Sequence, residues 1–568
     1  MDETQRRVDE FRGTRSELEN HLIDELVAGK ISRREFIRRG TVVGLSLSSL
    51  SFIAAACGGG DDGGGEGQET AQTDTGELRQ GGTIRVALIQ PTTEPNPLLV
   101  QDEGGAGILG ATGEFLSFSD ENLELQPRIA ESWEPNEDGS VWTFQIRQGV
   151  TFHNGATLTA QDVVATFDKL IDPDEGSANA QSALGGVLSP GGIEAPDDAT
   201  VVFNLDAPNG NFPTLVSSAN YNAIIIPADL DPAEWGETFE GTGPFRLEQF
   251  TPRVGATFAR NDAYWGEKAI VDQIEIRFYD EEAPMILALQ GDEVDFVEHF
   301  SVSGGQALLN DPNAQVIAVK AATHRQLHMR TDREPFTDNR VRQAIALSID
   351  RQALVDGLWE GQADIGNDSP FGPLYPSTDP DVPQREQDLE QARQLLADAG
   401  MGDGFTVQLD TWNGFEIPDL AQLVKNYAEQ IGVTINLRIT DAGTYYGDGV
   451  FGSSTWLDSV MGITDYGHRP VPNVYLTAPL SGDPAIGVWN SAHFQNDQYD
   501  ELVRQYVAAL DLDSQRTAAG QIQELLLEET PIIFPYFYYF LSAAKPSLQG
   551  AVSAATGQFD LSKAGFTG

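Results

Sequence analysis

Cys57 is the only cysteine in the 568-residue chain, so whatever folds downstream of it does so without an intrachain disulfide. Its position is as informative as its solitude. It closes an apolar run over residues 42–56, about 15 residues against the ~20 that a helix needs to cross a bilayer. Ser32, Arg33, Arg34 and Phe36 precede that run, and the small residues Ala54, Ala55 and Ala56 end it. A basic stretch, a short apolar stretch and small residues before the break read as a removable export signal, here residues 1–56.

Ser32-Arg33-Arg34 with Phe36 resembles the twin-arginine signal, an address read by a translocase that moves folded proteins. Ile53-Ala54-Ala55-Ala56-Cys57 resembles a lipobox, whose cysteine receives a diacylglycerol and becomes the new N-terminus. Ala54 stands where that motif usually carries Leu or another large aliphatic, so an ordinary cleavage after Ala56 that leaves a soluble protein stays open. Lipidation of Cys57 is the expectation. Two acyl chains, at ~0.8 kcal/mol per buried methylene, hold a protein stably on a membrane. Residues 58–76, rich in Gly, Asp, Glu, Gln and Thr, then form a flexible spacer within a linker over residues 57–80. Residues 1–31 carry Phe11, Leu18, Leu22, Leu26 and Val27 at helical spacing and leave with the signal.

The 512 residues that remain exceed the ~250–300 at which single cores stop growing, so at least two domains are expected. The first 56 residues hold nine acidic and nine basic side chains, which assigns the whole net charge of −51 to the remainder. Such a field repels nucleic acid and anionic head groups and favours cationic solutes. Solubility at variable ionic strength accounts for the same charge.

From Pro127 the chain runs P-R-I-A-E-S-W-E-P-N-E-D-G-S-V-W-T-F-Q-I-R-Q-G-V-T-F-H-N-G-A-T-L-T-A-Q-D-V-V-A-T-F. Glu137-Asp138-Gly139 reads as a turn, and Val141, Thr143 and Gln145 alternate with Trp142, Phe144 and Ile146 as a half-buried strand. Asn154-Gly155 is a second turn, and Thr159 with Asp162 three residues on marks a helix start. The segment closely resembles the signature of the extracytoplasmic solute-binding proteins of the peptide and nickel class, which serve ATP-driven (ABC) importers. Ile129 stands in place of that family's usual Leu. Gly241-Thr242-Gly243-Pro244-Phe245, Arg260-Asn261-Asp262-Ala263-Tyr264-Trp265-Gly266, Gly291-Asp292-Glu293-Val294-Asp295 and Pro335-Phe336-Thr337-Asp338-Asn339-Arg340-Val341-Arg342-Gln343-Ala344 resemble further family blocks, in family order.

Periodicity independently supports an α/β chain. Strands are expected at residues 83–89 and 274–279, helices at 283–290, 341–358, 388–398, 500–510 and 515–527, and a buried strand in the apolar run 532–541, which contains Pro535. The resemblance implies the two-lobed, periplasmic-binding-protein-like fold of type II with an extra subdomain in the first lobe. The expected division is lobe I over residues 81–322 with the subdomain at about 111–240, lobe II over 323–529, and a return to lobe I over 530–568. The crossings are placed near residues 319–326 and 530–535.

A protein of this kind closes its lobes over a solute, so contacts should gather on loops facing the cleft. Asp465, Tyr466, His468 and Arg469 lie in Gly462-Ile463-Thr464-Asp465-Tyr466-Gly467-His468-Arg469-Pro470, which resembles the family's Asp-Tyr-x-x-Pro loop. In peptide-binding members the aspartate of that loop receives the ligand's α-ammonium group. Asp465 pairing with Arg469, or capping a turn, is the competing reading, and the added charge of His468 and Arg469 departs from the family pattern. Trp412, Asn413, Tyr445 and Trp456 are the candidate cleft walls.

His324 and His328 stand four apart, but their surroundings read as extended, and no metal site built by the protein is expected. No nucleophile elbow, zinc-binding helix, P-loop or dinucleotide fingerprint marks an enzyme, and no cofactor is implied. The expected protein is thus a monomeric lipoprotein on the outer face of the cell membrane. It captures a small solute, peptide-like in the first reading, for ABC permease and ATPase subunits, and engages no nucleic acid. An oligosaccharide or metal chelate as ligand, a sensory receptor of the same fold and a hydrolase are the alternatives.

Overall fold

The computed structural model describes residues 78–92, 95–176 and 183–568. The segment read as an export signal, with Arg33 and Arg34, and Cys57 with the residues read as a spacer lie outside the described residues. No helix among the described residues is long and apolar enough to cross a membrane.

Thr83–Ile89 is a strand whose Ile84, Val86, Ala87 and Leu88 are all fully buried. A near-continuous apolar run of this kind suits a strand covered on both faces. It pairs in parallel with Gln273–Tyr279 on one side and Phe296–Val297 on the other. Beyond them, Gly255–Arg260 and Phe245–Thr251 extend one edge, while Phe540–Ala544 and Gln315–Val319 extend the other, giving seven strands. Glu282–Gln290 is helical, as its apolar spacing predicts.

Within residues 111–240 stands a separate four-stranded antiparallel sheet in the order Ala130–Pro135, Val141–Ile146, Thr200–Asn204, Ile193–Asp197. The alternation read from the sequence holds there, with Trp142, Phe144 and Ile146 buried. Phe144 packs edge-on against Phe203 at 5.3 Å, and Phe203 against Phe167 at 5.4 Å. Phe167 comes from the helix Ala160–Ile171, whose start is fixed by Asp162 accepting the Thr159 N–H at 2.8 Å. The Gly-Thr-Gly turn has a steric reason, since a Cβ on Gly241 would stand 2.3 Å from the Thr112 carbonyl oxygen.

After Val319 the chain leaves this sheet and enters a second one at His324. Its order is Ala363–Ile365, Tyr536–Tyr538, His324–Met329, Met461–Tyr466, Phe405–Trp412, Val433–Thr440, with Ile532–Ile533 also paired to His324–Met329. The return to the first sheet falls between Tyr538 and Phe540, later than residues 530–535. The reason lies in the ladder: Ile533 still pairs with Leu327, Phe537 with His324, and Tyr538 with Ala363. The helix expected over 341–358 is two helices, Asn339–Ser348 and Arg351–Trp359. Asp350 separates them because its carboxylate caps the second, accepting the Ala353 N–H at 3.0 Å. Leu389–Asp398, Asp497–Ala508 and Leu512–Glu529 complete the predicted helices.

Candidate ligand-binding site

The two crossing segments lie at a cavity of about 650 Å³, lined by both lobes. The first lobe supplies Glu103, Tyr221, Glu282 and the run from Glu298 to Ser303. The second supplies Arg325, Trp359, Phe415, Glu416, Asp465 and the run from Gly467 to Val471. The return crossing adds Tyr538 to Leu541. A cavity of this size is within the range of small-molecule sites.

Arg325 and Asp465 are opposite one another in the antiparallel pair of His324–Met329 with Met461–Tyr466. Only 1% exposed, Arg325 donates from Nη2 to Glu416 Oε2 and from Nη1 to the Tyr538 hydroxyl, both at 2.8 Å. Its guanidinium also lies against the rings of Tyr538 (4.7 Å) and Phe415 (5.2 Å). Glu416 accepts a second bond from the Tyr536 hydroxyl at 2.7 Å. Trp359 stacks on Tyr538 at 4.2 Å, while Phe415 leaves 73% of its surface exposed.

Asp465 accepts a 2.5 Å hydrogen bond from the Tyr446 hydroxyl and makes no ion pair among the described residues. Burial and the adjacent carboxylate push the Tyr446 pKa up, which keeps the phenol a donor. Tyr466 points its ring toward a different set of partners, stacking parallel to His324 at 5.6 Å and edge-on to Tyr475 at 5.9 Å. His468 lines the cavity, and its Nδ1 accepts the Ala322 N–H at 3.0 Å. Burial, followed by the charge of Arg469, lowers its pKa to about 3 and keeps the ring neutral. Arg469 donates from Nη1 to the His468 carbonyl at 2.9 Å and meets no carboxylate among the described residues.

Trp412, Tyr445 and Trp456 stand outside the lining, in an aromatic chain behind Asp465. Trp412 meets Tyr446 edge-on at 5.9 Å, Tyr445 meets it at 5.0 Å and Trp456 at 5.4 Å. Asn413 is exposed at the end of its strand, its N–H bonded to the Thr440 carbonyl. His324 and His328 are fully buried in one strand, roughly 13 Å apart by strand rise.

On the first-lobe wall, His299 Nδ1 lies 2.8 Å from Glu103 Oε2, and its ring stacks on Phe540 at 4.3 Å. Burial opposes a charge on this imidazole, yet the Glu103 carboxylate outweighs it and raises the pKa. Glu282 accepts from the backbone and hydroxyl of Ser301.

The family model for bacterial extracellular solute-binding proteins, family 5 Middle, matches residues 124–466, more than half of the chain. The chain belongs to this family. Heme-binding protein A of Haemophilus influenzae is 23% identical over 542 residues, covering 90% of this chain and 97% of that protein. Oligopeptide-binding protein AppA of Bacillus subtilis is 25% identical over 532 residues, covering 89% and 94%. Among solved structures, HbpA2 from Haemophilus parasuis superposes with a TM-score of 0.77 at 22% identity, over 85% of this chain and 100% of that one. This solute-binding protein therefore has the two-lobed extracytoplasmic architecture that its motifs imply.

Sequence reasoning did not single out Glu103, Glu298, His299, Arg325, Trp359, Phe415, Glu416 or Tyr538. One signal was available: Glu298 and His299 interrupt the otherwise apolar stretch from Phe296 to Phe300, which is where a strand end reaches a polar task. Arg325 likewise sits in the crossing segment, charged and flanked by residues that are all buried.

Proposed function

We propose that this solute-binding protein captures a peptide or peptide-like solute in the interlobe cavity and delivers it to the permease and ATPase subunits of an ABC importer. The observation that carries the reading is a pair of uncompensated charges, Asp465 near the end of the strand Met461–Tyr466 and Arg469 in the loop that follows it. Asp465 faces the cavity with a phenol as its partner and no cation, and Arg469 faces it with no carboxylate. A zwitterionic solute matches both, its ammonium toward Asp465 and its carboxylate toward Arg469. The role of Asp465 follows the family loop that its surroundings resemble. Closure would pivot where the chain crosses between the sheets, at residues 320–323 and at Tyr539, dividing lobe I (residues 81–322 with the subdomain at about 111–240, and the C-terminal segment) from lobe II.

The protein acts in this reading as a monomeric binding protein without catalytic turnover. Exported through the twin-arginine route and acylated on Cys57, it is held near its permease by the glycine-rich spacer, which raises the effective concentration for docking. The exposed Phe415 ring, with Trp359 stacked on Tyr538 beside it, favours a second reading, an oligosaccharide or a metal chelate with a flat face.

Native mass spectrometry of the purified protein, followed by a thermal-shift panel of peptides, oligosaccharides and chelates, separates the two. A ligand at 100 times its dissociation constant stabilises the fold by ~2.7 kcal/mol. Stabilisation by peptides supports the first reading. Stabilisation by sugars or chelates with none from peptides rejects it.

A further inference from the structure

Glu298 is the one cavity-lining carboxyl for which both oxygens lack a hydrogen-bond partner among the described residues. The other four are engaged: Glu103 with His299, Glu282 with Ser301, Glu416 with Arg325 and Tyr536, and Asp465 with Tyr446. Glu298 is 1% exposed, and its backbone is fixed on both sides, its N–H donating to the Ala87 carbonyl and its carbonyl accepting from the Ser542 hydroxyl. The side chain therefore has little freedom to swing into solvent.

An ionised carboxylate buried without a partner is strongly disfavoured, so this position is unfavourable for the unliganded fold. Burial, followed by repulsion from Glu103, pushes its pKa well up. The wall around it collects Glu103, Glu282 and Glu298 against the single imidazole of His299. What such a wall lacks is positive charge.

We propose that Glu298 forms a second cation-recognition subsite, on the first-lobe wall, for a primary ammonium or guanidinium carried by the solute. The solute is then a peptide-like compound with a basic side chain: its amino terminus goes to Asp465 on the second lobe, and its side-chain cation to Glu298 on the first. A ligand bridging the two lobes in this way favours the closed state, since only that state satisfies both contacts. This subsite rests on the peptide-like reading and narrows it to basic members of the class.

The test is calorimetric titration of wild-type protein and Glu298→Gln with two tripeptides, Ala-Lys-Ala and Ala-norleucine-Ala, with agmatine as a third probe. Glutamine is isosteric with the protonated carboxyl, and equal wild-type affinity for the two peptides overturns the subsite even if the variant folds poorly. The expected result is a preference for the lysine peptide of about tenfold or more in the wild type, abolished in Glu298→Gln. Equal affinity for the two peptides, or a preference that survives in the variant, overturns the subsite while leaving the peptide-like reading in place. If neither peptide binds, the peptide-like reading fails and agmatine decides the subsite. Thermal stabilisation of the wild type by agmatine that Glu298→Gln loses supports a cation site, and no stabilisation overturns it.

Discussion

Arg325 and Asp465 are cross-strand partners, yet each turns to another group: the guanidinium to Glu416 at 2.8 Å and the carboxylate to the Tyr446 hydroxyl at 2.5 Å. Opposite charges directly across a ladder would normally pair. Here the acid Glu416 and the rings of Phe415 and Tyr538 hold the cation away, so Asp465 meets the cavity with its negative charge uncompensated. That division of labour is what leaves Asp465 open to the proposed contact with a ligand's ammonium.

The Tyr446 hydroxyl is expected to position Asp465. Tyr446→Phe should weaken binding of an amino-terminated peptide by about 1 kcal/mol, the net size of one hydrogen bond. An unchanged dissociation constant in titration calorimetry would show that the phenol plays no positioning part.

Removing one member of a buried ion pair should hurt the fold more than removing both. Arg325→Met leaves Glu416 without its cation and is expected to lower unfolding free energy by about 3–5 kcal/mol in urea titration. Arg325→Met combined with Glu416→Gln should recover a large part of that loss. A double variant no more stable than the single one would mean that the ring packing around Arg325, and not its charge pairing, is what matters.

Acid should destabilise the protein through its buried imidazoles. Burial lowers the pKa values of His324, His328 and His468 from 6.5 to about 3. Between those values each ring is neutral when folded and protonated when unfolded, so unfolding takes up protons and stability falls as pH falls through this window, by about 1.4 kcal/mol per group per pH unit. Glu114 acts the other way, since burial raises its pKa to about 7 and it favours the folded state at lower pH. Glu298 and His299, whose pKa values are also raised, act in the same direction as Glu114, so the part owed to the buried imidazoles is read as the difference in slope between wild type and a histidine variant. Urea midpoints at pH 7, 6 and 5 measure it, and His328→Gln should make the decline shallower by about one proton's worth.

The proposed acyl anchor has a direct consequence. Cys57→Ser should move the exported protein from the membrane fraction to the soluble one without altering ligand affinity. A wild-type protein already soluble after export would instead indicate ordinary cleavage after Ala56.

Local signals were legible in the sequence where they were self-contained. The Thr159/Asp162 helix start, the alternation of Trp142, Phe144 and Ile146, and the strand Thr83–Ile89 each depend on residues within a few positions. The return crossing was displaced because residues 532–541 are almost uniformly apolar and carry no period that tells one sheet from the other. The split at Asp350 was hidden because the apolar spacing continues on both sides of it. Within the site, the segment of Asp465, His468 and Arg469 was singled out by its resemblance to the family's Asp-Tyr-x-x-Pro loop. The opposite wall was not, because the contact between Glu103 and His299 spans 196 positions and exists only once the first sheet is assembled.

The most direct test of the account is titration calorimetry of tetra-alanine and N-acetyl-tetra-alanine against wild-type protein and Asp465→Asn. The account predicts one-to-one binding of the free peptide by the wild type and a loss of about 2–5 kcal/mol on acetylation, with no such discrimination in the variant. Equal affinity of the wild type for the free and the acetylated peptide would contradict it.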